Sequence, residues 1–262
     1  MMKFSLKNSL LKSKVYVILG LVFLIILWEI SAIIINNNIY LPRIEEVFSS
    51  ILLIIKEKSF VKDSLSSFLR SIISFVGALF IAVILGVIST VKKPFREFLK
   101  PINAITKTIP TMVLVVLSLV WFDKDKTPYL VGILIVFPIF YEGIIGNLLN
   151  VDYKIIQMCK IYNIKIKEMV KKIYIPVIIN FIENNFVSSF SLAFKVVIAG
   201  EVHGQPKYGI GSSIQNAKAN FDVSKIFGWI IIIAFISIIF DAINMLIRRK
   251  ANKWRIKNEN WA

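Results

Sequence analysis

The sequence predicts an all-α integral membrane protein with six transmembrane helices and both termini on the cytoplasmic side. Three observations carry this reading. Hydrophobic residues make up 56% of the 262 positions, with a mean hydropathy of +0.72. That is too apolar for an ordinary soluble chain or a disordered one. These residues gather in six blocks, at 15–35, 66–91, 101–122, 128–149, 177–199 and 226–247. Each block is roughly 20 residues long, the length at which a helix crosses a hydrocarbon core of ~30 Å. Finally, basic residues divide unevenly between the connections. The N-terminal lead, the segments after the second and fourth blocks, and the C-terminal tail hold 20 Lys+Arg against 4 acidic residues, whereas the remaining connections hold 9 against 8. The basic side is expected to face the cytoplasm. The net charge of +16 therefore reads as membrane topology rather than as a nucleic-acid footprint, and 1–262 reads as one transmembrane domain.

The lead 1–14 is basic, and the apolar run after it is too long for a signal peptide and ends in Asn36–Asn38 without a small-residue cleavage site, so it reads as a retained first span. Glu29, beside Trp28, is expected to face protein or lie at the outer interface, because an unmatched charge near mid-bilayer costs about 2.5–3.5 kcal/mol on insertion scales. Residues 44–58 are amphipathic and too charged to span. In the second span Gly77 and Gly86 permit close helix approach. Residues 91–100, bracketed by Pro94 and Pro101, read as a short cytoplasmic loop. The third span starts polar (Asn103, Thr106, Lys107, Thr108), breaks at Pro110 and ends at Trp121-Phe122, an interfacial anchor. A tight turn at 123–127 leads to a fourth span holding Pro138 and Glu142.

Between the fourth and fifth spans lies 152–176, which differs from both. Ile155, Met158, Cys159 and Tyr162 fall on one helical face by their i, i+3, i+4, i+7 spacing. Ile166, Met169, Val170 and Ile173 repeat the pattern. Asn163, between them, tolerates the left-handed conformation of a helix C-cap, and Pro176 suits the first turn of the next helix. The expectation is a helix–turn–helix element at 150–176 on the rim of a membrane domain.

The fifth span carries Asn180, Asn184, Ser188, Ser191 and Lys195 at three- and four-residue spacing, with Glu183 at the edge. Such a stripe serves either as interhelical hydrogen-bonding glue or as the wall of an aqueous pathway. Lys195 is its one cation, placed to meet an anionic solute or to pair with a carboxylate. Residues 201–225 read as a long external loop, marked by Gly and Pro early and helix-like from Ser212 to Ala219, with a solvated His203. The sixth span holds Asp241 and ends at Arg248, Arg249 and Lys250. Cys159 is the one cysteine, which excludes an intramolecular disulfide and a cysteine-based metal cluster; with a single histidine, a metal centre or catalytic triad is not expected.

The central stretch resembles the cytoplasmic loop of binding-protein-dependent ABC importer permeases, whose motif runs Glu-Ala-Ala, three residues, Gly, nine residues, Ile-x-Leu-Pro. Gln157-Met158-Cys159 occupy the first places, Asn163 that of the glycine, and Ile173-Tyr174-Ile175-Pro176 the end. The spacing fits at each step, while Gln replaces Glu and Asn replaces Gly. Tyr40-Leu41-Pro42, 67–70, 107–110, Trp121-Phe122, 199–201 and 208–211 look like ordered landmarks of the nitrate/sulfonate/taurine branch; Val113-Leu114 and Asp123 depart from it. The resemblance implies the type I importer architecture, in a bacterial plasma membrane. It implies a homodimer working with two cytoplasmic ABC ATPases and an extracytoplasmic substrate-binding protein. ATP and magnesium then belong to the ATPase: this chain has no G-x-x-x-x-G-K-[ST] loop and is expected to hold no cofactor and to hydrolyse nothing alone. The implied coupling residues are Ile155, Gln157, Met158, Cys159, Tyr162, Asn163 and Pro176, and the candidate pathway residues are Lys107, Asn180, Asn184, Ser188, Ser191 and Lys195. Two other classes stay open on the residues alone. One is an ion-coupled secondary transporter or channel using Glu29, Glu142, Glu183, Lys195 and Asp241; the other is a scaffold whose basic loops bind anionic lipid.

Overall fold

A computed structural model describes residues 2–259, with the side chains of residues 15–240 and of Ala242. The readings made on the lead 1–14, on Asp241 and on Arg248, Arg249 and Lys250 lie outside the described side chains. The described elements are all helical. Five are long and apolar enough to cross a membrane, or six if one sharply bent pair counts as a span. The chain divides into two compact units, Met1–Phe60 with Asn216–Ile233, and Val61–Gln215 with Ala234–Ala262.

In the first unit, α1 (Met2–Ile35) ends at Asn36, which takes a left-handed φ of 46°. The Trp28 indole N–H donates to the Pro42 carbonyl at 3.0 Å. Glu29 accepts from the amide of Ile44, the first residue of α2 (Ile44–Lys56), at 3.1 Å. Glu29 therefore caps α2, where unpaired N–H groups and the helix dipole favour a carboxylate. Val47 and Ile54 form the buried side of α2, and Trp229 of α11 (Val223–Glu259) is wholly buried, stacked on Phe60.

The second unit is built on α3 (Phe60–Val91), α6 (Thr127–Leu149) and α9 (Ile175–Gly204). Phe75, Ala78 and Ala82 of α3, Val136, Phe140 and Ile144 of α6, and Ile178, Phe190 and Ala193 of α9 form its core. Small residues set the helix separation, since van der Waals packing rather than hydrophobic exclusion drives association inside a membrane. A Cβ added at Gly86 would lie 2.8 Å from Ile144, and one at Gly77 would lie 3.3 Å from Ile133, as the sequence anticipated. The closest approach is elsewhere. At Gly143 an added Cβ would sit 2.1 Å from the Phe181 ring, and Gly132 is pinched between Ser74 and Val197.

The third span differs from the one expected. Residues 101–122 are not one helix, and 91–100 is not a loop. Instead α4 (Lys93–Thr108) and α5 (Thr111–Trp121) meet at a bend of 102°. Pro110 supplies no N–H and holds Ile109 in an extended conformation, φ −69° and ψ 125°. Pro94 falls in the first turn of α4, where its missing donor costs nothing.

The element at 152–176 also departs in its second half. α7 (Tyr153–Ile161) is N-capped by Asp152, which accepts from the Lys154 amide at 2.9 Å. It ends at Asn163, φ 47°. The Ile164 amide bonds the Cys159 carbonyl and the Asn163 amide that of Lys160, the paired closure of a Schellman turn. From there α8 (Ile166–Met169) and a π turn (Val170–Tyr174) run directly into α9, giving one 39-residue helix from Ile166 to Gly204. Pro176 thus does not open a separate helix. Lacking an N–H to bond the carbonyl four residues back, it is accommodated by the wider π turn, in which the Ile175 amide reaches Val170.

The Gly132 pinch gives a stability test. Gly132→Ala would place a Cβ 2.7 Å from the Ser74 side chain and should cost about 1–3 kcal/mol through overpacking, read as a lower melting temperature of the detergent-solubilised protein. Gly146→Ala, with nothing within 4 Å of the added carbon, should leave that temperature unchanged or raise it.

Candidate functional site

Three of the sequence landmarks converge on one buried ionic cluster. Ser67 and Arg70 come from α3, Glu201 from the last turn of α9, and 208–211 from the entry to α10 (Ile210–Ala219). Glu201 is wholly buried. One of its oxygens pairs with Arg70 Nη1 at 2.7 Å; the other accepts from Ser67 Oγ at 2.6 Å and from the Gly211 amide at 3.1 Å. Arg70 also donates to the Tyr208 carbonyl, and Ser67 Oγ accepts from the Ile210 amide. Buried Asp63 accepts from the Gly209 amide and from Ser213 Oγ. The amides at the start of α10 are thus consumed by two carboxylates and a hydroxyl, where the helix dipole adds to the Arg70 charge. Gly211 is required here, since an added Cβ would lie 2.4 Å from the Ile198 carbonyl oxygen.

The helix expected at 212–219 is present as α10, but the start of the expected loop is corrected. Glu201 and His203 belong to α9, which ends at Gln205 (φ 48°), and His203 is exposed on the last turn with its Nδ1 3.0 Å from the Ala199 carbonyl oxygen. Sequence reasoning passed over Glu201 as a binding partner. The available signal was an acidic residue closing an apolar run, followed by Gly-x-Gly.

The α7 residues are displayed differently from the expected single face. Cys159 is buried and Ile156 packs on the core, whereas Ile155 and Met158 are exposed and Tyr162 is 74% exposed. The helix is therefore turned by about one residue, roughly 100°, from the orientation in which Ile155, Met158, Cys159 and Tyr162 would all face inward. Of the second apolar set, Met169, Val170 and Ile173 pack on the core, whereas Ile166 is exposed. Gln157 is exposed on α7, and Pro176 lies apart from this group on the continuous α9 helix.

On α9, Asn180, Asn184, Ser188 and Lys195 are exposed and Ser191 is half-buried, while Ile178, Phe190, Ala193, Phe194 and Val197 face the core. The stripe thus lies on the outer side of a single chain, along a helix whose other side is the most buried of the candidate spans. Lys107 is not part of it. Its ammonium pairs with Glu142 of α6 at 2.5 Å, and the other Glu142 oxygen accepts from Asn103 at 2.8 Å. Asn103 and Lys107, one turn apart on α4, hold the bent pair against α6.

Residues 60–253 match the family described as binding-protein-dependent transport system inner membrane component. The chain belongs to that family. The permease is 24% identical over 191 residues to a putative aliphatic sulfonates transport permease protein of Bacillus subtilis, covering 72% of this chain and 68% of that one. It is 26% identical over 237 residues, 88% of each chain, to a putative ABC transporter permease protein of Methanocaldococcus jannaschii. A probable ABC transporter permease protein of Brucella abortus is 21% identical over 225 residues, 84% of this chain and 88% of its own. The protein is therefore a multi-pass inner-membrane ABC transporter permease, a transport subunit.

Glu201→Gln keeps the shape but removes the charge facing Arg70, and Arg70→Met leaves Glu201 buried and unmatched. The second variant should be the more damaging, at about 3–5 kcal/mol, and the Arg70→Met/Glu201→Met pair should lose less than the sum of its single variants. Fluorescence-detected size-exclusion melting of these variants, with Glu201→Met completing the cycle, checks the order.

Proposed function

We propose that the permease is one half of a homodimeric ATP-driven importer, with α7 as the contact to a cytoplasmic ABC ATPase and the α9 stripe as part of the translocation wall. The observation that carries this is the display of Ile155, Met158, Ile161 and Tyr162 to solvent on a helix fixed from behind by Ile156, Cys159 and the Asn163 turn. An apolar face left outside while its reverse side is anchored suits docking into a partner groove. The excess of basic residues on the segments flanking this element favours the cytoplasm for it and for both termini.

Because α7 passes through the Asn163 turn into the continuous helix beginning at Ile166, a push on α7 is delivered to the base of α9. Closure of an ATPase pair on ATP would then tilt α9, and a cavity lined by the stripes of two copies would alternate its opening. An extracytoplasmic binding protein would deliver the solute to that cavity. Lys195, exposed and without a carboxylate in ion-pair range among the described residues, favours a small anion. The likeness to the Bacillus subtilis protein favours an aliphatic sulfonate, the zwitterion taurine among them; nitrate is the inorganic oxyanion of similar size.

Two substitutions at the exposed α7 face, Met158→Glu and Tyr162→Glu, should each lower permease-stimulated ATPase activity at least about tenfold, the effect of ~1.4 kcal/mol at a docking contact. Gln157→Ala should cost less than either, because shape and apolar burial dominate where the motif carboxylate is missing. The reverse order in reconstituted proteoliposomes would refute this docking face. Lys195→Met should reduce solute uptake while leaving co-purification with the ATPase intact; loss of both would make Lys195 structural.

A further inference from the structure

Two lysines of the second unit carry charge near the proposed pathway, and the structure treats them differently. Lys195, on the stripe, has no carboxylate in ion-pair range among the described residues. Lys107 is held by Glu142, which is itself oriented by Asn103. The ion pair is about half exposed on both sides, so solvent and solute reach it.

Its height along α9 is fixed by packing. Gly143, adjacent to Glu142, lies directly against the Phe181 ring, and Phe181 follows Asn180 at the first polar position of the stripe. Lys195 is 14 residues further along α9 from Phe181, roughly 21 Å at 1.5 Å per residue. Lys107 is thus level with the Asn180 end of the stripe and Lys195 lies near its other end, one ammonium neutralised and one not.

We infer that Glu142 is a positioning residue for specificity: it masks the Lys107 charge at the Asn180 end of the pathway and leaves Lys195 as the cation a passing anion meets. The inference rests on the pathway reading above and adds to it the charge of the cargo. With both lysines bare, the wall of each subunit would carry two cations and favour a multiply charged oxyanion. With one masked, a singly charged oxyanion such as a sulfonate is the better match, and it has no second strong site from which it must escape. Asn103 matters because it occupies one Glu142 oxygen and turns the other to Lys107; its remaining amide oxygen is buried without a hydrogen-bond partner among the described residues. A group kept in that condition signals that its amide is committed to Glu142.

The test needs neither the ATPase nor the cargo, so its outcome is separate from that of the docking reading. The full chain is placed in lipid nanodiscs as wild type, Glu142→Gln, Glu142→Gln/Lys107→Met, and the charge-swapped Lys107→Glu/Glu142→Lys. Each is melted in sodium sulfate and in sodium chloride at equal ionic strength. Gln keeps an acceptor for Asn103 but releases the Lys107 charge. Sulfate should therefore raise the melting temperature of Glu142→Gln over its chloride value by about 2–4 °C more than for wild type, the shift given by an anion at several times its dissociation constant. The double variant and the charge swap should behave like wild type. An equal sulfate effect in all four chains would overturn the inference. So would failure of Glu142→Gln to fold alongside a well-folded charge swap, which would make the pair a structural tie.

Discussion

A carboxylate removed from water inside a membrane domain must be matched by donors, and at Glu201 those donors come from separate parts of the chain. Arg70 and Ser67 reach it from α3, and the Gly211 amide from the start of α10. The arrangement holds because none of these groups could be satisfied alone at this depth. Arg70 needs an anion, the first amides of α10 need acceptors, and Glu201 needs both. With Asp63 bound to the Gly209 amide and Ser213, the entry to α10 is fixed to α3 and to the end of α9. That end of α9 is thereby anchored.

The opposite end of α9 is continuous with α8 through a π turn and joins α7 across the Asn163 closure. A long helix pinned at Glu201 is thus joined, at its other end, to the exposed apolar face of α7. The polar stripe lies between those ends, and the glycine contacts of α6, at Gly132 with Val197 and at Gly143 with Phe181, hold α6 close against α9. Lys107 and Asn103 tie the bent α4–α5 pair to α6 through Glu142. Charge inside the second unit is thus spent first on holding helices together, and Lys195 is the basic residue of the stripe left outside such a tie.

Much of this was legible in the sequence. Block length identified the apolar spans, because insertion energetics act residue by residue. The turn at Asn163 and the close approaches at Gly77 and Gly86 were legible because they follow from backbone sterics. What was not legible depended on contacts distant in sequence. The Glu201–Arg70 pair joins residues 131 positions apart, and from the sequence Glu201 looked like the first residue of a loop. Lys107 pairs with Glu142, 35 positions away, a contact that no spacing in the sequence announces. The roll of α7 was not legible, because Ile156 and Ile155 compete for the core and periodicity alone cannot rank two neighbouring isoleucines. Pro110 was recognised as a break, but its angle was set by packing, and Pro176 was absorbed by a π turn that no period of 3.6 would reveal.

The central claim is that the α9 stripe lines a pathway whose opening alternates with the ATPase cycle. The most direct measurement uses Ser188→Cys in a Cys159→Ser background, assembled with its ATPase in sealed proteoliposomes. Labelling is by a membrane-impermeant maleimide added to one side at a time. The account predicts labelling from one side without nucleotide and from the other with ATP trapped. Labelling unchanged by nucleotide, or absent from both sides, would contradict it.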